Sequence, residues 1–382
     1  MDKNTLFKTI DSLTDSYLEF LSDIAKIESP TNNKAGVDKV LEYIFEKAEK
    51  AGFKTDICRQ NVSGNAGTVT FNEKAVGKPL CFSGHMDTVH PLGTINLNPV
   101  KIEGDKLYGP GVYDCKGGIV ASFMAMEALK LLGYTARPIK LILQSDEENS
   151  SLFSDKQTVK YMAEQAKGCV AFLNAEPYVS GYVSTERKGI IRYEFTISGV
   201  AAHSAKCFDG ANAITEASHK IIKLEQFKDP DGITVNCGII NGGTVANTVP
   251  DTCTFTADIR FKTQVQLEQI KEIVKDVNDQ ITVKGTSSSY KVASFRTAME
   301  KNDENVKLLE RVNSIFAKHS LPTLTARCGA GGSDAADMAS YKIPTLDSLG
   351  VRGKNMHSLN EFTYISSIPE CAKMLALIAM EI

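Results

Sequence analysis

The sequence predicts an α/β fold in which helices alternate with apolar strands and a smaller domain is inserted. Three apolar runs of strand length stop abruptly at polar residues, near His85, Asp146 and Glu176. Residues 188–298 instead follow a β-α-β-β-α-β order, which is typical of a ferredoxin-like unit. The alternation of helices and strands resumes afterwards, so the chain has two predicted domains.

The elements of the first half follow from hydrophobic periodicity. Apolar residues recurring every three or four positions predict helices, and short runs rich in β-branched residues predict strands. A Gly104-Asp105 turn between alternating residues predicts a hairpin over residues 100–108, and a buried strand precedes His85. The other predicted helices are 6–27, 37–51, 119–132 and 155–167, and the other strands are 55–60, 67–71, 138–144 and 169–173.

The inserted domain is predicted over residues 188–298, which leaves 1–187 and 299–382 as the main domain. Its predicted strands are 190–198, 233–240, 252–261 and 290–295, and its helices are 212–226 and 266–279. The main domain then continues with helix 304–319, strands 324–328 and 344–349, and helix 369–380.

Acidic residues and a histidine follow several predicted strands. His85 and Asp87 follow one strand, residues 146–148 are three consecutive acids after another, Glu176 follows a third, and Asp114 opens a helix. A lone His-x-Asp is commonly a hydrogen-bonded loop pair, and an acidic run is commonly a solvated surface. The carboxyl ends of strands in an open α/β sheet share one edge, however, so the repetition predicts one metal site.

Oxygen and imidazole ligands without thiolates suit Zn²⁺, Co²⁺ or Mn²⁺ in a hydrolytic site. Two such ions, about 3.5–4 Å apart, can share one carboxylate and lower the pKa of a water. A further carboxylate must then accept the proton, and the adjacent Glu147 and Glu148 offer one ligand and one base. Asp87 is expected to hold the second ring nitrogen of His85.

The glycine-rich stretch around Asp114 has two rival interpretations. It resembles a dinucleotide loop, but Asp114 stands where the last glycine of Gly-x-Gly-x-x-Gly belongs and would repel a pyrophosphate. Cys115 invites a thiol-nucleophile hypothesis, yet no plausible base pairs with it. Glycines flanking an acid instead suit a carboxylate held against a cation.

Composition excludes other classes. A net charge of −3, from 43 basic and 46 acidic residues, gives no reason to expect nucleic acid. No signal-peptide pattern and no apolar run of about 20 residues is present, which predicts a cytoplasmic protein without a membrane partner. The nine scattered cysteines include no Cys-x-x-Cys and are predicted to be reduced.

Together the motifs resemble those of the cocatalytic zinc metallopeptidases, which include glutamate carboxypeptidases, aminoacylases, peptidase T and succinyl-diaminopimelate desuccinylase. The resemblance spans nearly the whole chain and is nearest to the glutamate carboxypeptidases over residues 84–89 and 100–118. It implies a zinc-exopeptidase-like mixed sheet flanked by helices, with the insertion as a lid and dimerisation domain. The motifs that carry it are His85-x-Asp87, Asp114-x-Lys116-Gly117-Gly118, Asp146-Glu147-Glu148, Glu176-Pro177, His203, Gly331-Gly332-Ser333-Asp334-Ala335 and His357.

The resemblance also implies a ligand set for two divalent metal ions, Zn²⁺ in the first instance and Co²⁺ or Mn²⁺ as alternatives. Asp114 would bridge both ions, and the peptide bond after it would be cis. His85 and Glu176 would complete one site, and Glu148 and His357 the other.

For catalysis, the resemblance implies Glu147 as the general base, with Asp87 in support. It implies that His203 reaches into the partner subunit's active site of a homodimer and stabilises the oxyanion. Substrate contacts are implied for Asn247, Arg260, Gly331 and Gly332.

Glu176 favours a substrate with a free α-carboxylate, because aspartate is usual there in the aminopeptidase-like relatives. The predicted substrate is therefore a small peptide or an N-acyl amino acid. An aminoacylase or related deacylase shares every catalytic residue with a carboxypeptidase or dipeptidase, and a tripeptide aminopeptidase fits less well. A catalytically silent binding protein is the rival outside enzymes, but no ligand and no base is lost.

Other polar residues are predicted to have no direct role in catalysis. His90, His219 and His319 are predicted to lie on the surface or on helix faces, and Lys116 is predicted to neutralise the local acids. Residues 149–151 read Asn-Ser-Ser where relatives usually have glycine, a departure that bears on pocket shape.

Overall fold

A computed structural model describes residues 2–230 and 232–382. The chain forms two compact units. Unit 1 comprises the residues up to Glu186 together with Lys301–Gly329 and Ser333–Ile382, and unit 2 comprises Arg187–Glu300 and Ala330–Gly332. The three residues Ala330–Gly332 of the glycine-rich turn thus belong to the same unit as the inserted segment.

The helices and strands are numbered along the chain. The helices are α1 Lys3–Ser12, α2 Thr14–Lys26, α3 Lys34–Lys50, α4 Thr94–Leu97, α5 Lys116–Leu131, α6 Gln157–Ala166, α7 Ala213–Glu225, α8 Gln264–Asp279, α9 Asp303–Lys318, α10 Asp334–Ser340 and α11 Ser367–Glu381. The strands are β1 Lys54–Cys58, β2 Ala66–Phe71, β3 Leu80–His85, β4 Lys101–Glu103, β5 Lys106–Tyr108, β6 Ile139–Gln144, β7 Phe172–Asn174, β8 Tyr182–Arg187, β9 Gly189–Ser198, β10 Ala202–His203, β11 Thr234–Gly242, β12 Thr248–Val249, β13 Thr252–Phe261, β14 Ser287–Arg296, β15 Thr325–Gly329, β16 Thr345–Leu346, β17 Gly353–Lys354 and β18 Phe362–Tyr364.

Unit 1 is built on a mixed sheet with the strand order β1-β2-β6-β3-β7-β16. Strands β6, β3, β7 and β16 are parallel, whereas β1 and β2 form an antiparallel edge. This arrangement confirms the predicted mixed sheet. The register sets Ser83 between Ile142 and Asn174, so His85 and the residues after β6 and β7 emerge at one edge of the sheet.

Helix α5 packs directly on this sheet because two glycines permit a close approach. A Cβ on Gly118 would lie 2.0 Å from the carbonyl oxygen of Ala175, and one on Gly84 would lie 2.8 Å from Cγ1 of Ile119. The helix is buried nearly all round, which agrees with its largely apolar sequence. The contact holds Asp114, just before α5, at the ends of β3 and β7.

Unit 2 contains an antiparallel sheet with the strand order β11-β13-β9-β14. Alternate residues of β9 and β13 are buried and cluster with apolar residues of α7 and α8. Phe195 and Phe255 stack across these strands with ring centroids 4.6 Å apart. The predicted β-α-β-β-α-β insertion is confirmed, with the short strands β10 and β12 added.

One difference from the predicted elements lies near the amino terminus. The predicted helix 6–27 is divided at Leu13, whose N–H bonds to the carbonyl of Ile10 at 3.0 Å. Periodicity missed the break because the apolar spacing continues across it. Within residues 2–230 and 232–382, no helix combines the length and apolar character needed to cross a bilayer.

Candidate metal centre

The site begins at the end of β3, where His85 meets Asp87. Nδ1 of His85 lies 3.0 Å from the main-chain carbonyl oxygen of Asp87 and 3.4 Å from its Oδ1. Asp87 thus flanks this nitrogen with two oxygens, of which the main-chain oxygen is the nearer. Because both residues are buried, the contact fixes the ring so that Nε2 points away from the strand.

The Asp87 carboxylate joins three segments of unit 1. Its Oδ2 accepts hydrogen bonds from Thr31 Oγ1 at 2.7 Å and from the Glu148 N–H at 3.1 Å, and Oδ1 accepts from the Glu147 N–H at 3.1 Å. Burial opposes ionisation, but the contacts with His85 and Thr31 outweigh it and lower the pKa of Asp87. The ionised carboxylate therefore positions both glutamates relative to His85.

Asp114 lies between two imidazoles. Its Oδ1 is 3.1 Å from Nε2 of His85, and its Oδ2 is 3.0 Å from Nε2 of His357. The peptide bond between Asp114 and Cys115 is cis, as the resemblance implied. Although burial opposes ionisation, hydrogen bonds with the two histidines lower the pKa of Asp114. One oxygen thus faces each histidine, an arrangement suited to a bridging carboxylate.

The two remaining predicted ligands lie beside these histidines. Nε2 of His85 is 3.7 Å from Oε1 of Glu176, and Nε2 of His357 is 3.5 Å from Oε2 of Glu148. The residues predicted to share each ion are therefore neighbours. The His357 side chain is 49% exposed, whereas the other four predicted ligands are largely buried.

The electrostatics of this cluster favour bound cations. Burial raises the pKa of Glu148 to about 7, and burial together with the Asp114 charge raises the pKa of Glu176 well above its usual value. Hydrogen bonds to Asp114 and Glu148 raise the pKa of His357 to about 10. The clustered acids require positive charge, which metal ions supply through the same donor atoms.

The spacing of the donor atoms also fits a metal ion. Among the described residues, one ligand atom from each of His85, Asp114 and Glu148 lies within 4.8 Å of the others, and the same holds for His85, Cys115 and Glu176. Cys115 differs from the other candidates because its thiol donates to the Ala175 carbonyl at 3.3 Å and burial raises its pKa well above normal. We therefore treat it as a neutral neighbour.

The departure from glycine after Glu148 has a visible backbone consequence. Ser150 and Ser151 adopt φ values of 62° and 58°, in the left-handed region that glycine enters without steric cost. Their N–H groups bond to the carbonyls of Glu147 and Asp146, at 2.8 and 2.9 Å. The serines therefore complete a tight turn that holds Glu147 at the site.

Sequence reasoning missed Glu361, which holds the loop before Asp114. Its buried carboxylate accepts hydrogen bonds from the N–H groups of Gly111, Tyr113 and Asp114 at 3.2, 2.9 and 3.1 Å. Nε2 of His90 lies 2.7 Å from Oε2 of the same carboxylate. The predicted surface position of His90 is therefore wrong, because its imidazole is only 6% exposed.

The interpretation of Lys116 also changes. Its fully buried ammonium donates to the carbonyls of Ile24 and Ile27, at 3.0 and 2.9 Å, and so binds the carboxyl end of α2. Burial lowers its pKa to about 7, despite the nearby charges of Glu361 and Asp87. Its direct partners are thus carbonyl groups rather than the acids of the site.

In unit 2, His203 and Asn247 lie on the surface near each other. His203 in β10 pairs with Thr248 of β12, and its Nδ1 accepts a hydrogen bond from the Ala205 N–H at 3.2 Å. The Ser204 N–H donates to the Asn247 carbonyl at 2.9 Å. Both His203 and Asn247 are exposed within the chain, so no buried contact fixes their side chains in one orientation.

Arg260 reaches the glycine-rich turn of unit 2. Its Nε donates to Asp258 Oδ1 at 2.9 Å, and its Nη1 donates to the Ala330 carbonyl at 3.0 Å. The next residue of the turn, Gly331, accepts from Nη1 of Arg187 at 3.3 Å. Arginine side chains therefore border the turn on two sides.

Gly332 completes this turn and is packed against a third arginine. A Cβ on Gly332 would lie 2.4 Å from Cδ of Arg296, so a larger residue would displace that side chain. Gly331 meets no such restriction, since the nearest atom to a Cβ there is 3.9 Å away. Of the two predicted substrate-contacting glycines, only Gly332 is required by local packing.

The carboxylates and imidazoles of unit 1 lie together where parallel strands end, as in metal-dependent hydrolases. The signature of peptidase family M20/M25/M40 matches residues 81–381. The chain belongs to this family, which confirms the resemblance inferred from its motifs.

Named relatives are similar along most of the chain. Carboxypeptidase G2 of Pseudomonas sp. (strain RS-16) is 26% identical, covering 99% of this chain and 92% of its own. Succinyl-diaminopimelate desuccinylase of Rickettsia typhi is also 26% identical, covering 96% and 100%. The solved structure of aminopeptidase PepT from Bacillus cereus superposes with a TM-score of 0.78 at 20% identity, covering 96% and 98%, which supports the fold.

Proposed function

We propose that this enzyme hydrolyses an amide bond in a small peptide or N-acyl amino acid with a free carboxylate, as a carboxypeptidase or dipeptidase does. The observation that carries the proposal is the Asp87 carboxylate, which accepts from the N–H groups of both Glu147 and Glu148 beside His85. Two adjacent glutamates held in this way can serve one as a metal ligand and the other as a base.

The proposal includes two divalent cations, with Zn²⁺ preferred over Co²⁺ and Mn²⁺. Asp114 would contact both ions, His85 and Glu176 one of them, and Glu148 and His357 the other. When bound, the ions polarise the carbonyl under attack and lower the pKa of water. Support comes from the donor spacing and from the raised pKa values of Glu148 and Glu176.

Glu147 takes the proton of the attacking water and delivers it to the departing amine nitrogen. Its buried main chain, tied to Asp87 and closed by the Ser150 turn, keeps the carboxylate in position for both transfers. Asp87 also holds the His85 ring in the orientation in which Nε2 would bind an ion. His203 donates to the developing oxyanion in the active site of a partner subunit, which makes a homodimer part of the proposal.

The proposed substrate preference rests on one residue of unit 1 and four residues of unit 2. Glu176 favours a substrate with a free α-carboxylate, by resemblance. Arg260 offers a forked donor for such a group, and Asn247 and the turn at Gly331 and Gly332 complete the proposed contacts. The similarity to carboxypeptidase G2 supports this preference. We also propose a cytoplasmic location, since scattered cysteines without a Cys-x-x-Cys spacing suit a reducing compartment.

A deacylase is the second candidate. The relative named succinyl-diaminopimelate desuccinylase has the same 26% identity as carboxypeptidase G2 and covers 96% of the chain, compared with 99% for carboxypeptidase G2. An N-acyl amino acid presents the same scissile amide and free carboxylate as a dipeptide. A tripeptide aminopeptidase is the third candidate, and it lacks support from Glu176.

Hydrolysis of a substrate panel separates these candidates. The panel contains peptides ending in glutamate, N-acetyl and N-succinyl amino acids, and tripeptides. Chelation should abolish cleavage, and added zinc, cobalt or manganese should restore it. Preference for the C-terminal glutamate peptides supports the carboxypeptidase, whereas preference for an N-acyl amino acid selects the deacylase. Activity that is independent of metal would contradict the mechanism.

The role of Glu147 has its own test. Glu147→Gln should keep its metal content and lose turnover by about 10²–10⁴-fold, because the amide cannot accept the water proton. The matched control is Glu272→Gln, a change of the same type at an exposed position of α8. Turnover of Glu147→Gln equal to that of the control would remove Glu147 as the base.

A further inference from the structure

A small cavity in unit 1 borders the candidate metal centre. Its volume is about 290 Å³, and its lining includes Glu148, one of the proposed metal ligands. Thr31, whose hydroxyl donates to the Asp87 carboxylate, lines it as well. The cavity therefore lies beside the proposed metal ligands, and it is formed within a single unit of the chain. The other residues of its lining are Pro30, Asn32, Thr88, Val89, Pro91 and Phe153.

The lining of this cavity is half apolar and nearly without charge. Four of its eight residues are proline, valine or phenylalanine, and Glu148 is the one charged residue among the described residues that line it. The Val89 and Phe153 side chains are 41% and 40% exposed, so apolar surface on two walls contacts water. A charged group placed here would lose its hydration and gain no ion-pair partner of opposite sign. The lining thus favours an uncharged apolar group.

Two walls of the cavity, residues 30–32 and 88–91, are joined by the main chain. The Thr88 N–H donates to the Ser29 carbonyl at 2.9 Å, and the Thr31 N–H donates to the Thr88 carbonyl at 3.2 Å. These bonds keep the two segments at a fixed spacing. The cavity is therefore formed before a ligand enters it, which reduces the ordering that binding requires.

Phe153 forms the third wall, in the turn that departs from the glycine of the relatives. Ser151 and Ser154, on either side of it, are 0% and 5% exposed. The Ser154 N–H donates to Asp146 Oδ2 at 2.9 Å, and the Lys156 N–H donates to the Ser151 carbonyl at 2.9 Å. The main chain on both sides of Phe153 is thus anchored, so the turn holds this aromatic ring at the cavity.

We propose that this cavity binds the substituent on the carbonyl carbon of the scissile amide and selects an uncharged apolar group there, with Phe153 as a specificity-determining residue. The inference rests on the proposed function, in which Glu148 is a metal ligand next to the carbonyl under attack. The free carboxylate on the amine side of the amide is assigned to residues of unit 2, which leaves the cavity of unit 1 for the carbonyl side.

This inference defines the class of substrate. A leucine or phenylalanine residue on the carbonyl side of a dipeptide belongs to the class, and so does a branched aliphatic acyl group of an N-acyl amino acid. An N-succinyl group does not, because its second carboxylate would meet apolar walls and the acidic Glu148. The chain is therefore expected to differ in acyl specificity from its relative named succinyl-diaminopimelate desuccinylase.

Two acyl groups of similar shape test the selection. Isocaproyl and succinyl groups differ mainly in that an isopropyl end replaces a carboxylate, and each is attached to the same glutamate. We expect the metal-loaded wild-type protein to favour N-isocaproyl-glutamate over N-succinyl-glutamate by at least about tenfold in kcat/KM, because the buried succinyl carboxylate would be unpaired. Equal values, or a preference for the succinyl substrate, would overturn the inference.

Variants at Phe153 assign the selection to this cavity. Phe153→Ala should lower the isocaproyl-to-succinyl ratio of kcat/KM by about tenfold, and Phe153→Leu should keep most of it. Phe153→Arg should reverse the preference, because arginine pairs with the succinyl carboxylate. Phe227→Ala, at a position that is 44% exposed in unit 2, is the matched control and should keep the wild-type ratio. The ratio is unaffected by the fraction of active protein in a preparation. A wild-type ratio in both the alanine and the arginine variant would show that the acyl group binds elsewhere.

Binding of the acyl product gives a measurement that needs no turnover. Calorimetric titration of the metal-loaded protein compares isocaproate with acetate, which present the same carboxylate and differ in the apolar chain. Partial burial of that chain should make isocaproate bind about tenfold more tightly, with a negative change in heat capacity. Phe153→Ala should lose most of this difference. Equal affinities of the wild-type protein for the two acids would overturn the inference.

The two kinds of measurement separate this inference from the proposed function. Metal-dependent cleavage of both substrates at equal rates would support the proposed function and overturn the inference. Tighter binding of isocaproate that Phe153→Ala abolishes, without cleavage of either substrate, would support the apolar site and contradict the proposed reaction.

Discussion

The polar residues that the sequence marked in unit 1 differ from those in unit 2 in how they are held. In unit 1, His85, Asp87, Asp114 and Glu176 are at most 8% exposed and contact one another or buried partners. In unit 2, His203 and Asn247 are exposed. Burial of these four residues of unit 1 means that the fold itself fixes their geometry, whereas the predicted ligand His357, which is 49% exposed, is left for a bound ion to organise.

This difference separates two kinds of evidence. A buried carboxylate beside an imidazole must be compensated, so its surroundings already reveal its chemistry. An exposed histidine costs nothing to leave in water, and its surroundings are equally consistent with a surface residue. The role of His203 must therefore be tested by mutation. The proposed dimer allows a more decisive test, in which two different variants are combined.

His203→Ala should produce the largest effect in this comparison. Losing one donor to an oxyanion typically reduces turnover by about 10²–10³-fold, and because His203 is not a proposed ligand the metal content should stay unchanged. His219→Ala, at an exposed position of α7, is the matched control and should keep full activity. Full activity of His203→Ala would make the exposed histidine a surface residue.

Mixing extends the same prediction to the dimer. His203→Ala and Glu147→Gln chains, each nearly inactive alone, should regain part of the activity when they form mixed dimers, because one site then combines an intact Glu147 with an intact His203. Verified mixed dimers that stay inactive would place both residues in the site of one chain.

Asp87→Asn should show the next largest effect. Replacing a group that supports a ligand typically weakens metal binding by about 10–100-fold, and here the substitution also disturbs the N–H contacts of Glu147 and Glu148. Competition with a metal-binding dye measures the change. Asp276→Asn, exposed on α8, serves as the control. Unchanged affinity in Asp87→Asn would mean that the main-chain oxygen next to Nδ1 suffices to hold His85.

The same contrast explains what the sequence could and could not predict. The ends of β3, β6 and β7 were visible as apolar runs stopped by acids, and the family motifs joined them into one site. The contact between Glu361 and His90 was not predicted because the two residues are 271 positions apart and neither interrupts a periodic pattern. Lys116 was read as a neutraliser of acids, since its carbonyl partners at the end of α2 have no signature in the sequence.

Glu361→Gln tests whether such an unmarked residue matters. The glutamine keeps one acceptor oxygen, but the hydrogen bonds that it accepts from main-chain N–H groups are no longer assisted by a charge. Its NH₂ group replaces the other oxygen and therefore faces an N–H donor. We expect the free energy of unfolding to fall by about 1.5 kcal/mol. Urea unfolding is measured in chelator, because bound metal would add its own stabilisation.

The control for this change is Glu370→Gln, which removes a carboxylate whose partner is Arg352 on the surface of the same unit. An exposed ion pair contributes at most about 1 kcal/mol, so the control should lose less than Glu361→Gln. Equal losses would mean that water or rearranged main chain replaces the buried carboxylate. In that case the loop before Asp114 would hold its conformation without Glu361, and the packing of α5 on the sheet would be enough to position Asp114.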